Sequence, residues 1–161
     1  GGIGVVVVPM SCAIGTKFKE VRERLFKKNT LKAVFSMPDD IFYPTGTNVC
    51  VMVWEAHTPH DVTQETFFGY FKDDGYVKRK KLGRIDALDK WSTIKKEWLN
   101  LYRYRDIKDG LSARHCVSST DEWLCEAYMK TDYSILTQND FQKTVNDYLA
   151  YLVKYGDVYE D

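Results

Sequence analysis

Apolar and polar positions along the chain follow first a strand pattern and then a helical one. Ile3 to Val8 (IGVVVV) is an unbroken, β-branched run stopped by Pro9. A run with no polar side suits a strand covered on both faces, as in a parallel sheet. Residues 16–29 switch to helical spacing. Phe18, Val21 and Leu25 make one stripe, and Lys17, Lys19, Glu20, Arg22, Glu23, Lys27 and Lys28 fill the opposite side. This predicts a helix with Val21 and Leu25 inward and Arg22 in water. Its last turn is basic, as the macrodipole prefers, and Asn29 terminates it. Leu31–Met37 (LKAVFSM) reads as a second strand, ended by Pro38-Asp39-Asp40. A loop over residues 41–47 leads to a third strand, Asn48–Glu55 (NVCVMVWE). A fourth apolar stretch, Thr66–Phe71, ends at an Asp73-Asp74-Gly75 turn. Strand, helix, strand, loop, strand is an α/β order.

The character changes after Gly75. Residues 72–84 carry six basic and two acidic side chains, with Lys78-Arg79-Lys80-Lys81 consecutive. Residues 87–102 predict an amphipathic helix, with Leu88, Trp91, Ile94, Trp98 and Leu101 on one side. Residues 103–117 show no periodicity. Ser119 with Glu122, and Thr137 with Asp140, resemble capping boxes, and each predicts a helix start. The first helix would run to Met129, and the second would carry Phe141, Val145, Tyr148, Leu149, Leu152 and Tyr155. Residues 120–161 hold nine acidic and three basic side chains.

Composition narrows the function classes. The chain has 161 residues, 44% hydrophobic and 29% charged, which suits one globular domain rather than a disordered tail. Lys+Arg and Asp+Glu are both 23, so bulk charge does not hold it on nucleic acid, although a local basic stripe still could. Val5–Met10 is far too short to span a bilayer, so no membrane association is expected. Cys12, Cys50, Cys116 and Cys125 are irregularly spaced without C-x-x-C, which favours reduced, mostly buried thiols in a cytoplasmic protein. Gly1-Gly2 leads straight into a strand without an initiator Met, which reads as part of a longer polypeptide.

Each residue that could carry chemistry has a plainer reading beside it. His57 and His60 sit in a Pro-containing loop without nearby Cys or carboxylate ligands, so solvated loop histidines are expected. His115 and Cys116 are adjacent, and adjacent side chains point apart on regular structure, which disfavours a nucleophile–base pair. Gly1-Gly2-Ile3-Gly4 precedes a strand, whereas a dinucleotide fingerprint follows one. Asp39-Asp40 reads as turn chemistry ahead of a carboxylate pair. Phe42-Tyr43-Pro44 places two aromatics between strands. A splayed nucleobase could stack there, or Phe42 could close the core beneath the loop, and composition does not choose between these. Lys78–Lys81 could contact phosphates, but the residues alone favour a solvated hairpin or edge.

Four ordered stretches then stand together: GVVVVP; RERLFKKNTLKAVFSMPDDIFYPTGT; VCVMVWE; and FFGYFKDDGYVKRKK followed by GRID. In this order they resemble the N-6 adenine DNA methylases, most closely the modification subunits of type I restriction-modification systems. The likeness covers the first half closely and the remainder loosely. It implies the C-terminal half of the catalytic domain. The fold class is then α/β, the C-terminal part of a Rossmann-like class I methyltransferase sheet with about three to four strands, followed by a helical tail. GVVVVP would be the fifth strand, and LKAVFSMP and NVCVMVWE the last two, with a reversed strand near one edge. The implied division is 1–75 for the catalytic half, 76–86 for a basic connection and 87–161 for the helical tail.

The resemblance also implies roles. Phe42, with Tyr43, Pro44 and Gly46, would form the loop that supports a flipped target adenine, and Lys78, Arg79, Lys80 and Lys81 would face DNA phosphates. The family binds S-adenosylmethionine on a Gly-rich loop and reacts at an N-P-P-[YF] motif that localises the lone pair of the adenine amino group. Neither motif is in these residues, so no catalytic, cofactor-binding or metal residue is expected here and the chain alone should be inactive. Implied partners are double-stranded DNA and the specificity and restriction subunits. A Val5–Val8 strand stripped of its neighbours would be an exposed edge that pairs with another copy. The competing reading is a non-catalytic assembly module, docking a partner through the helix from Ala87 and the acidic tail.

Overall fold

A computed structural model describes residues 1–155. Its centre is a five-stranded mixed sheet. The strands are β1 (Ile3–Pro9), β2 (Asn29–Ser36), β3 (Val49–Ala56), β4 (Glu65–Tyr70) and β7 (Ser112–Cys116), in the order β1-β3-β2-β4-β7. β3 runs antiparallel to both β1 and β2, β2 is parallel to β4, and β7 is antiparallel to β4. β1 and β2 therefore point the same way with a reversed strand, β3, between them, next to the β1 edge. β1 itself is not covered on both faces as its apolar run suggested, but is an exposed edge paired antiparallel to β3. β4 and β7 extend the sheet beyond them.

Strand alternation divides the core between the two faces. A bulge between Leu31 and Ala33 shifts the register of β2 against β3. Leu31 and Val34 consequently face one side, with Cys50, Met52, Trp54, Phe68 and Trp123. Ala33 and Phe35 face the other, with Val53, Phe67, Phe71 and Trp98. The first side is covered by α1 (Ser11–Ile14), α2 (Lys19–Phe26) and the buried 123–125 segment. The second is covered by α3 (Trp91–Tyr104), whose Trp98 stacks on Phe71 with centroids 4.5 Å apart. A two-stranded hairpin, β5 (Val77–Arg79) with β6 (Gly83–Ile85), carries the basic run. Asp86 then caps α3, accepting from the amides of Lys90 and Trp91.

Several expectations are corrected. The inward side of α2 is the opposite stripe: Arg22 and Phe26 are buried while Val21 and Leu25 are exposed. Arg22 donates to the carbonyls of Ser119, Cys12 and Gly15 and lies over the Trp123 ring. Three backbone carbonyls, of which Gly15's also accepts from the Phe18 amide, thus draw a cation inward where hydropathy alone would leave it in water. The featureless 103–117 stretch contains β7. The predicted helix after Ser119 is absent: Asp121 accepts from the Ser118 amide, and only a 3-10 turn follows at Cys125–Ala127. The predicted helix after Thr137 is present as α4 (Gln138–Tyr155), with Asp140 accepting from the Thr137 amide. α3 buries its apolar side in its own sheet, so it is not a free docking face.

The chain divides into two compact units, the first Gly1–Lys130 and the second beginning at Thr131. α3 and β7, assigned above to a helical tail, belong with the sheet. In the second unit, Phe141, Val145, Tyr148, Leu149 and Leu152 of α4 are exposed. Among the described residues no helix is long and apolar enough to cross a membrane.

Candidate functional site

The C-terminal ends of β1 and β2 open on the same side of the sheet. In open α/β sheets that is where ligands bind. The chain leaves β2 at Ser36, turns through residues 38–47 and returns as β3. Successive turns shape this segment: the Ile41 amide donates to Pro38, Tyr43 to Asp40 and Thr45 to Phe42. The Tyr43–Pro44 peptide is cis. Phe42 is 50% exposed, so it does not close the core. Its ring instead walls an open cleft of about 430 Å³ with Val7, Val8, Pro9, Thr45 and Val49. A flat apolar wall beside an open cleft can take one face of a planar heteroaromatic ring. Tyr43 is exposed as well. At Gly46 an added Cβ would meet nothing, and the backbone is not in the left-handed region, so neither space nor conformation demands glycine.

The basic run is divided by what its members touch. Lys78 lies 3.5 Å from Asp40 and over the Tyr43 ring at 5.4 Å, so it is drawn back to the loop. Arg79, Lys80 and Lys81 are exposed around the hairpin turn. Lys81 and Gly83 take positive φ there, as a tight hairpin requires. Sequence reasoning missed what joins hairpin to loop. Arg84 grips both oxygens of Asp74 at 2.8 and 2.9 Å. Its Nε stands 2.9 Å from Asp40 Oδ1, close enough for an ion pair but not aligned as a hydrogen bond. Asp39 pairs with Lys72. The Asp-Asp turn is thus a turn that also anchors the loop. A basic run, a GRID stretch and an Asp pair were each visible, but their pairing required the fold.

The remaining chemistry-bearing residues are structural. His60 is not a solvated loop residue. Its Nδ1 accepts from the Leu31 amide, its Nε2 donates to the Val117 carbonyl, and its ring stacks on Phe26 at 3.9 Å. Burial holds its pKa below the usual imidazole value. His57 is exposed. His115 stacks on Tyr128, whereas Cys116 turns to the Thr63 carbonyl. All four cysteines are free. Burial pushes the Cys50 and Cys125 thiols up to about 12, which keeps them protonated and unreactive.

A groove of about 520 Å³ lies between α2 and the β1–β3 face. Gly4, Val6, Val8, Phe18, Val21 and Leu25 are among the residues that wall it. S-adenosylmethionine carries a ribose diol and a zwitterionic head that need hydrogen-bond and charge partners. No carboxylate lines this groove, and its one guanidinium, that of Arg22, is committed to backbone carbonyls. These residues do not fit that cofactor.

Comparison with known proteins agrees with the strand order. The chain is 33% identical over 156 residues to the type II restriction enzyme and methyltransferase RM.BcgI of Heyndrickxia coagulans, a match covering 94% of this chain and 24% of that protein. It therefore spans about a quarter of that relative's length. Its fold resembles the type I restriction-modification methyltransferase subunit from Streptococcus thermophilus, with TM-score 0.57, 18% identity, and coverage of 80% of this chain and 27% of that one. A structure described for complex assembly and conformational transition of the type I R-M system matches with TM-score 0.54 and 14% identity, over 98% of this chain and 34% of that one. The model of the N-6 DNA methylase family matches residues 1–152, and the chain accordingly belongs to that family.

Proposed function

We propose that this chain works as part of the catalytic domain of an adenine N-6 DNA methyltransferase in a restriction-modification system. It supplies the wall on which the flipped adenine rests and a basic finger that meets the duplex. One observation carries the reading: Phe42 stands half exposed on an aromatic–Pro loop at the strand ends, facing an open cleft. Tyr43 and Pro44 set the direction of that loop, and Gly46 lies on its return. Arg79, Lys80 and Lys81 contact backbone phosphates, with Lys78 nearest the base. S-adenosylmethionine binding and the N-P-P-[YF] chemistry belong to polypeptide outside the quarter matched here, so the chain alone does not methylate DNA. Further partners are the specificity and restriction subunits. The exposed apolar positions of α4, in an acidic stretch, favour a docking role for the second unit within such an assembly.

The test is Phe42→Ala in the complete enzyme, on duplexes carrying 2-aminopurine at the target position. Loss of stacking should weaken base stabilisation by about 1–3 kcal/mol. That would lower both the fluorescence change and the methylation rate. Unchanged fluorescence, rate and DNA affinity would end the assignment.

A further inference from the structure

Beyond its own turns, the loop that carries Phe42 is tied down by the ion pairs of Asp39 and Asp40. Phe71 is buried in the core at the end of β4. The chain continues at once into Lys72, Asp73 and Asp74. Asp73 accepts from the Gly75 amide and Asp74 from the Tyr76 amide, so this segment is a fixed turn on a fixed strand. Arg84 of β6 donates from Nη2 to both oxygens of Asp74 and lies over the Tyr76 ring at 5.2 Å. The same guanidinium reaches Asp40, two residues before Phe42. Arg84 and Asp74 are mostly shielded, with side chains 14% and 10% exposed, so water screens this contact far less than an ordinary surface pair. A planar fork can serve two carboxylates at once, which an ammonium cannot do with the same geometry. Lys78 adds a weaker link to the other oxygen of Asp40.

We infer that Arg84 is a positioning residue. By joining Asp40 to Asp74 and to the β5–β6 hairpin, it makes the Phe42 loop and the free cations Arg79, Lys80 and Lys81 one rigid unit, so that phosphate contact fixes where the base-stacking ring stands. This rests on the function proposed above and extends it. Arg84 does not touch the base. Its effect passes through Asp40 to the loop, and misplacing a positioned group by about 1 Å can cost on the order of a hundredfold in rate.

The experiment uses the complete enzyme and compares Asp40→Asn, Arg84→Gln and Phe42→Ala. Asp40→Asn is nearly isosteric and removes no cation, so the number of phosphate contacts and the salt dependence of duplex binding should stay as in the parent. The expected result is a fall in kcat of about ten- to a hundredfold in Asp40→Asn and Arg84→Gln. The 2-aminopurine signal should be reduced, with duplex affinity in Asp40→Asn kept within about twofold of the parent. Circular dichroism of each variant confirms equal folded fractions, and Asp40→Asn keeps the test valid should Arg84→Gln fail to fold. If Phe42→Ala lowers signal and kcat while Asp40→Asn leaves both at parental values, the clamp is overturned and the stacking role survives. If Asp40→Asn loses duplex affinity but keeps kcat, the clamp is likewise overturned. If Phe42→Ala itself changes nothing, the stacking role is what falls.

Discussion

The two edges of the sheet are built in opposite ways. β1 is seven residues long and wholly apolar, and Val5 and Val7 are 61% and 54% exposed. Beside it runs the 520 Å³ apolar groove against α2. β7 is five residues long and reads Ser-Ala-Arg-His-Cys. Its Arg114 pairs with Glu65, its His115 stacks on Tyr128, and Val117 just beyond it is buried under the His60 contact. Short length and charge are how a sheet protects a permanent edge, whereas a long flat apolar edge invites a further strand. Each exposed valine forgoes roughly 1.5–3 kcal/mol that burial would return. The β7 side is finished in the way of an outer boundary, and the β1 side is built to be covered.

That contrast can be attacked from both ends. The largest effect is expected at Arg22, which ties α1 and α2 behind the groove to the segment leaving β7. Arg22→Met removes the guanidinium that the carbonyls of Cys12, Gly15 and Ser119 share, leaving only Gly15's with its Phe18 amide, and should cost about 3 kcal/mol, read by denaturant unfolding. A loss under about 1 kcal/mol would show that the guanidinium is not what holds this side together. Next comes the β1 edge itself. We expect concentration-dependent self-association of the isolated chain, and Val5→Lys with Val7→Lys should weaken it by at least about tenfold in sedimentation equilibrium, since charged edges resist pairing. Association that survives both lysines would place the contact elsewhere. The smallest effect is expected at His60 on the β7 side. Its folded pKa is lowered, so the unfolded chain binds more protons at mildly acid pH. Its contribution is present above about pH 6.5, the unfolded value, and is lost as pH falls below it. The thermal midpoint should therefore drop between pH 7.5 and 5.5, by less in His60→Gln than in the parent, whereas an equal drop in both would assign the effect to other groups.

The positions of β1 and β3 were legible because runs such as IGVVVV and NVCVMVWE leave no other reading than strand, although only the second carries core. β7 was not, because its five residues have no apolar alternation and its place is set by pairing with β4. The side of α2 was misread for a different reason: two stripes at helical spacing competed, and three carbonyls from distant segments decided the matter in favour of Arg22. His60 was hidden in the same way, since its partners at Leu31 and Val117 come together only in the folded sheet. At the candidate site, the aromatic–Pro loop and the basic run could be singled out by residue type. Their connection through Arg84 could not, because a two-carboxylate clamp is a property of the tertiary structure and not of any one stretch.

The most direct test of the central claim is calorimetric titration of S-adenosylmethionine into this chain and into the complete enzyme under the same conditions. The account predicts saturable binding by the complete enzyme and none by the chain, whose groove lacks the polar partners that the cofactor requires. Saturable binding to the chain alone would contradict it.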